Sequence, residues 1–349
     1  MNYPKLNELP PPLSDKKGWP WTEESQELSL LMSNGSPWPK ISIVTPSLNQ
    51  GKFIEETIRS VLLQGYPNLE YIVMDGGSED GSVDIITKYE KWLTYWKSEQ
   101  DEGQAQALNK GFKISTGEIV AWINSDDVYE RSIFGYIPQY IKNNPDYDFI
   151  YGDLLTMNET GKMTGKFSPG EFNLINALYG NIIPQPSCFW KSSVFKDMGY
   201  LSEKYHYLMD YEFWMRCGIK KKFKYIPENF AHFREHAASK GLSQSLSFKI
   251  EDLALFTDLF KEYTEYSEAL PLQKNKVLCL KNERLAMAYY KNRSMREARK
   301  YFKRALCLTP FRFQNITLLL YILDTIFDTR IAPRWQEQNG KIRRYLNIQ

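Results

Sequence analysis

Between residues 41 and 127 the chain alternates short β-branched runs with segments whose apolar residues recur at helical spacing. This alternation constrains the fold more than any other feature of the sequence. Ile41-Ser42-Ile43-Val44-Thr45-Pro46 reads as a buried strand, and Leu69-Glu70-Tyr71-Ile72-Val73-Met74 as a second. Tyr95-Trp96 lies in a third, and Glu118-Ile119-Val120-Ala121-Trp122-Ile123 forms a fourth. Helices are expected between them, over Phe53–Gln64, Val83–Tyr89 and Ala105–Ile114, the first stopped by Gly65-Tyr66-Pro67. Strands alternating with helices predict a parallel α/β sheet. In such sheets the ligand sits beyond the carboxyl ends of the strands. Those ends carry Thr45-Pro46, Asp75-Gly76-Gly77 and Asp126-Asp127, so three strand ends define one candidate site.

No GxGxxG follows the first strand and no GxxxxGK[ST] occurs anywhere. A dinucleotide dehydrogenase and a P-loop NTPase are therefore disfavoured. Residues 1–39, rich in Pro, Ser and Trp, read as an extended arm or strap. One or two helical turns are expected around Thr22–Met32, with Thr22 as cap. From 145 to 240 the pattern is less regular, with strands expected at Phe149–Tyr151 and Cys188–Trp190 and a helix over Tyr211–Gly218. From Leu246 onward the chain reads as helical. There Leu285, Ala286, Tyr289, Ala298, Phe302, Ala305 and Pro310 fall at the spacing of one tetratricopeptide-like hairpin. An ordinary hairpin with small residues at the crossing has the same pattern. The domain reading is thus an arm over 1–39, a catalytic domain over 40–245 and a basic helical region over 246–349.

A length of 349 residues suits two or three domains, and 42% hydrophobic with 25% charged residues excludes wholesale disorder, collagen and coiled coil. The four Cys form no CxxC pair, so neither a zinc knuckle nor a disulfide framework is expected. The N-terminus lacks the pattern of a secretory signal. No apolar run reaches the ~18–20 residues of a membrane span. These features lead us to expect a cytoplasmic enzyme. The net charge of +2 is unevenly spread: residues 281–349 hold fifteen Lys/Arg against five acids, a net +10, leaving −8 for the first 280. A basic tail suits an anionic surface, and solvated helix faces give the same distribution. The apolar stretch Ile316–Phe327, flanked by Arg312, Arg330 and Arg334, is too short to span a bilayer and suits either an interfacial position or packing on the body.

Two adjacent carboxylates at a strand end, Asp126 and Asp127, repel unless a positive group lies beside them. A hard divalent cation such as Mg²⁺ or Mn²⁺ meets that need with oxygen ligands. The other reading is that Asp-Asp caps a helix beginning near Val128.

The order of further pieces decides the family. Ile43-Val44-Thr45-Pro46-Ser47-Leu48-Asn49 is followed by Ser60-Val61-Leu62-Leu63-Gln64 and by Val73 to Ser82. Then come Asn109-Lys110-Gly111, Thr116-Gly117-Glu118 and Asn124-Ser125-Asp126-Asp127. Gln185-Pro186-Ser187-Cys188-Phe189-Trp190, Asp210 to Arg216, and Arg234-Glu235-His236 followed by Ser239 complete the set. Over about 40–240 the chain resembles the inverting family 2 glycosyltransferases of GT-A fold, a Rossmann-like mixed α/β sheet flanked by helices.

The resemblance implies site roles. Thr45 and Pro46 would lie against the nucleotide base, and Asp75 would hydrogen-bond it. Asp101 and Asn109 would reach the ribose or diphosphate. Asp126 stands at the metal-binding position, with Asp127 binding metal or donor sugar and His236 completing the metal site. Asn124 departs from the Asp often found there. Asp210 would be the base that deprotonates the acceptor, with the apolar Met209 where the family has Glu. Arg234 would neutralise phosphate, and Trp190 and Trp214 would stack on sugar or fill the core. His206 and His232 carry no motif and read as structural or surface residues.

The expected activity is metal-dependent transfer, with Mn²⁺ or Mg²⁺, from a nucleotide sugar to a glycan or lipid-linked acceptor in cell-surface polysaccharide synthesis. A UDP-sugar is the favoured donor, and nucleic acid is not a partner. Peripheral contact with the inner face of the membrane would run through the basic C-terminal region. The absence of a Q-x-x-R-W segment disfavours processive synthesis. The rival reading is a non-catalytic nucleotide-sugar-binding or scaffold protein using the helical region. A nucleotidyltransferase is disfavoured because Ser47-Leu48-Asn49-Gln50-Gly51-Lys52 makes a poor phosphate loop.

Overall fold

The computed structural model describes residues 4–12, 15–237, 246–263, 269–309 and 315–327. The chain divides into two compact units, Met1–Leu242 and Ser243–Gln349. The first unit holds β1 (Ile41–Ser47), α1 (Ile54–Leu62), β2 (Leu69–Asp75), α2 (Ser82–Tyr89), β3 (Tyr95–Ser98), α3 (Gln104–Ile114) and β4 (Ile119–Trp122). It continues with β5 (Val128–Tyr129), α4 (Ile133–Asn143), β6 (Phe149–Asn158), β7 (Met163–Phe167), α5 (Leu174–Ala177), β8 (Cys188–Lys191), α6 (Ser193–Met198), α7 (Met209–Gly218) and β9 (Phe223–Glu235).

All seven residues of β1 are buried, as expected for the central strand of a parallel sheet covered on both faces. It pairs in parallel with β2 on one side and β4 on the other, and β3 extends β2. The full sheet runs β3-β2-β1-β4-β8-β6-β9-β5, with β7 added to β6. The second half is mixed: β8 runs antiparallel to β4 and to β6, while β9 runs parallel to β6. The GT-A-type sheet expected from the sequence is therefore present, and the expected strands and helices from 41 to 123 lie within two residues of their predicted ends. Gly111 lies where α3 crosses β1, and a Cβ there would come within 2.5 Å of Val44 Cγ1, which accounts for the glycine in Asn109-Lys110-Gly111.

Two expectations are corrected here. Residues following Asp127 form the short strand β5, so the acidic pair does not cap a helix at Val128. Thr22–Met32 is not helical: the Ser25 N–H donates to Leu63 O (3.0 Å) and the Leu28 N–H to Gly65 O (3.3 Å), so the strap hydrogen-bonds to the end of α1 and the turn after it.

A fully buried arginine of α1 fastens the arm to the domain. Arg59 Nη1 donates to Pro10 O (2.9 Å), Nε to Pro20 O (3.1 Å) and Nη2 to Trp21 O (2.9 Å). Trp19 Nε1 also donates to Tyr129 O (2.8 Å). Arg59→Met strands these carbonyls without partners, and each unsatisfied buried polar group costs roughly 1–3 kcal/mol. We expect a loss of about 3 kcal/mol or more, read as a lower urea midpoint. An unchanged midpoint would show that the arm contributes nothing to stability.

Trp190 and Trp214 are core residues, 0% and 1% exposed, packed with Trp122 and Phe149. This excludes the sugar-stacking role. The second unit comprises α8 (Leu246–Glu262), α9 (Ala269–Lys291), α10 (Met295–Leu308) and α11 (Asn315–Phe327). Ala286, Ala298, Phe302 and Ala305 are fully buried in the α9–α10 hairpin, with Tyr289 stacked on Tyr301. Lys281 pairs with Asp252 at 2.8 Å inside this unit, and burial pulls its ammonium down to about 8. Pro310, Arg312, Arg330, Arg334 and Ser239 lie outside the described residues. No described helix is long and apolar enough to cross a membrane.

Candidate active site

Beyond the carboxyl ends of β1 and β4 lies a cleft of about 400 Å³. Its walls include Pro46 to Gln50 at the end of β1 and after it, Asp101, Gly103 and Gln104 at the start of α3, and Asn124 to Asp126 after β4. Phe233 of β9 closes one side. Of the residues singled out in the sequence, Pro46, Asp101 and Asp126 line this cleft. The Gly103 N–H donates to Asp101 Oδ1 (2.8 Å). Asp101 Oδ2 would lie 2.7 Å from a Cβ at Gly76, so the glycine after Asp75 is what lets this carboxylate approach.

The pairing of β5 with β9 builds the acidic corner. Val128 opposes His232 and Tyr129 opposes Ala231 in antiparallel register. Following that register backward sets the Asp126-Asp127 turn against Arg234 and His236. Asp126 Oδ2 and His236 Nε2 are 2.9 Å apart, and the imidazole, 8% exposed, lies against the Phe53 ring at 4.8 Å. A carboxylate and an imidazole in contact at a cleft wall have donor chemistry that a divalent cation such as Mn²⁺ or Mg²⁺ would accept. Among the described residues no group of three or more His, Cys, Asp or Glu side chains is gathered around one point.

Asp127 faces inward. It is fully buried, accepting from the Arg234 N–H (3.0 Å) and Asn124 Nδ2 (3.3 Å). Burial, then the charge of Asp126, raises its pKa well above the usual carboxylate range. Its expected contact with donor or metal is corrected to a role in holding the turn. Arg234 is likewise not a phosphate ligand. It is 1% exposed and donates to Glu56 Oε2 (2.9 Å) and to the carbonyl of Asp126 (3.0 Å), with its guanidinium over Phe53.

Three other assigned residues are spent inside the protein. Thr45 is buried with its hydroxyl 3.1 Å from Tyr71 OH. Asp75 accepts from the Gly77 and Ser78 N–H groups and from the Ser78 and Ser98 hydroxyls, at 2.6–3.1 Å. Three of these bonds fall on Oδ2 and one on Oδ1, so Asp75 holds the loop beneath the cleft. Asn109 donates to Leu201 O (2.9 Å) and Glu203 Oε1 (2.8 Å) and accepts from the Leu201 N–H (3.1 Å), tying α3 to the 201–203 loop. His232 pairs with Glu130 at 2.9 Å, in keeping with a structural role.

Asp210 stands in the first turn of α7, outside the cleft lining, and accepts from Asn181 Nδ2 (2.9 Å). Between it and the cleft lie groups that sequence reasoning passed over. Gln185 Nε2 donates to Trp122 O (2.8 Å) and its Oε1 accepts from Asn124 Nδ2 (3.1 Å). Asn124 Oδ1 in turn accepts from Gln104 Nε2 (2.7 Å). This amide chain explains the Asn at 124. An Asp would remove the donor to Gln185 and Asp127 and add a third carboxylate beside two others. The glutamine was visible within the Gln185-Pro186-Ser187 segment, but its partners are distant in sequence.

The α/β sheet and a cleft with an acidic corner at its strand ends give the GT-A architecture. Residues 42–195 match the family model described as Glycosyl transferase family 2, so this segment is a family 2 glycosyltransferase domain. A PGL/p-HBAD biosynthesis glycosyltransferase of Mycobacterium tuberculosis is 27% identical over 185 residues, 51% of this chain and 70% of that protein. The putative teichuronic acid biosynthesis glycosyltransferase TuaG of Bacillus subtilis is 39% identical over 98 residues, 27% of this chain and 38% of that protein. The crystal structure of S. aureus TarS residues 1–349 with UDP-GlcNAc superposes with a TM-score of 0.64 at 16% identity, covering 86% of this chain and 92% of that one. The chain is thus a transferase, and the non-catalytic scaffold reading is not favoured.

Proposed function

We propose that this enzyme transfers a sugar, with inversion, from a UDP-sugar to a hydroxyl of a glycan or lipid-linked acceptor in cell-surface polysaccharide synthesis. The observation that carries the reading is the contact of Asp126 with His236 at the wall of the strand-end cleft. Relatives named for teichuronic acid and PGL/p-HBAD biosynthesis, and TarS structures holding UDP-GlcNAc and UDP, support the direction.

In this reading the nucleotide lies along Pro46 and Asp101, over the loop that Asp75 holds rigid. Asp126 and His236 hold Mn²⁺ or Mg²⁺, which when bound neutralises the diphosphate leaving group. Asp210 takes the proton from the acceptor hydroxyl. The acceptor oxygen forms its bond to the anomeric carbon as the bond to diphosphate breaks, and that electron pair leaves on the diphosphate oxygen. Attack on the face opposite the leaving group gives inversion. Thr45, Asp127 and Asn109 serve this site through the strand end, the turn and the α3 loop that they fix.

A thermal-shift panel of UDP-, GDP- and dTDP-sugars with and without Mn²⁺ tests the proposal. Ligand at about a hundred times its dissociation constant adds about 2.7 kcal/mol of stability. The largest rise in Tm is expected with a UDP-sugar plus Mn²⁺. A larger rise with GDP- or dTDP-sugars would overturn the donor assignment, and equal shifts with and without Mn²⁺ would overturn the metal's role.

A further inference from the structure

We propose that Asn181 is a positioning residue for the transfer, holding the Asp210 carboxylate in place and in its ionised form. This rests on the reading of Asp210 as the base. Asn181 Nδ2 donates to Asp210 Oδ2 at 2.9 Å. The direction of the amide is set by its other end, where Asn181 Oδ1 accepts from the Ile183 N–H at 3.2 Å. Such a local turn, in which an Asn side chain accepts from the backbone two residues on, fixes which edge of the amide faces outward. Here the NH₂ edge is the one directed to α7.

The segment carrying this amide is itself anchored. Ile183 is 3% exposed and packs in the main core. Two residues further, Gln185 is tied to Trp122 O and to Asn124. Asn124 belongs to the same turn as Asp126. Thus residues 181–185 hold the proposed base at one end and are fixed to the donor corner at the other. A five-residue segment therefore links the proposed base to the turn that carries Asp126.

The chemistry suits a general base. A hydrogen bond donated to a carboxylate favours its charged form. A neutral amide does this without the full opposite charge of Lys or Arg, which would pair with the carboxylate and blunt its basicity. The position of Asp210 in the first turn of α7 adds a second, weaker preference for negative charge.

The test compares Asn181→Ala and Asn181→Asp with the parent enzyme, measuring kcat, donor KM and the pH dependence of kcat/KM. The charged side chains of the neighbouring elements are unchanged in both variants. Among the described residues they include Glu203, Lys204 and His206 on the loop before α7, and Glu212 of α7, which is paired with Arg216; α5 contributes none. We expect kcat to fall about 10- to 100-fold in Asn181→Ala, with donor KM held. This is the span of one hydrogen bond to a charged group. The acid limb of the profile should move to higher pH, further in Asn181→Asp, where like charges repel, with activity recovering at alkaline pH. An equal loss at every pH, or an unmoved limb, overturns the positioning role. Asp210→Asn separates this outcome from failure of the base assignment. If that variant keeps turnover, both readings fall; if it is inactive while the Asn181 variants keep the parent profile, only the Asn181 role is lost.

Discussion

Asp126→Ala is expected to lower turnover by three orders of magnitude or more and to remove the dependence of nucleotide binding on Mn²⁺. Its carboxylate lies 2.9 Å from His236 Nε2, and Asp126 itself lines the cleft. The substitution leaves the turn intact, because Arg234 Nε binds the main-chain carbonyl of residue 126 and not its side chain. The measurement is titration of UDP with and without Mn²⁺, alongside turnover. A parental Mn²⁺ effect in the variant would remove Asp126 from the site. Asp127 provides the contrast. It sits one residue away, but its buried carboxylate caps the Arg234 N–H, so its loss would be felt first as stability.

Asp210→Asn is expected to separate chemistry from binding. Removal of a general base costs about 10²- to 10⁴-fold, while Asp210 lies outside the cleft lining. The variant should therefore bind UDP with the parental Mn²⁺ dependence and turn over at least 100-fold more slowly. Asn is an acceptable residue near a helix N-terminus, so the fold of α7 is expected to persist. Turnover within a few-fold of the parent would end the assignment of Asp210 as base. Together the two variants dissect the reaction: one loses the leaving-group side, the other the attacking side.

Much of this was legible in the sequence, for identifiable reasons. The first half of the sheet is parallel and buried on both faces, so β1, β2 and β4 appear as apolar runs bounded by turns. Helices α1 and α3 carry their buried faces at ordinary helical spacing. The second half was harder. β9 spans thirteen residues from Phe223 to Glu235 with an irregular burial pattern: it pairs with β6 along its length through register shifts, while β5 covers only Ala231 and His232 on its other edge. β7 is exposed along its whole length and so has no hydrophobic signature. The same gap explains the site residues that were misread. Asp127, Arg234 and Asn109 carry polar side chains that look available in one dimension. Their partners lie 107 residues away for the Asp127–Arg234 contact and 92 for the Asn109–Leu201 contact. Asn181 and Gln185 act through contacts of this same long-range kind, which local pattern does not encode.

The Arg59 clamp has a consequence for where this enzyme begins as a folding unit. The family segment starts at residue 42, yet Arg59 within it reaches back to carbonyls at 10, 20 and 21. One turn earlier on the same helix, Glu56 grips Arg234, whose strand leads into His236. A protease that nicked the strap would leave a buried guanidinium short of its arm carbonyls, with the Tyr89 hydroxyl still beside it as an acceptor, and α1 would pass that disturbance to the corner where Asp126 meets its histidine. The strap ahead of the family boundary thus bears on the site through α1, and a shortened enzyme would be expected to lose its grip on the leaving group before it lost its sheet.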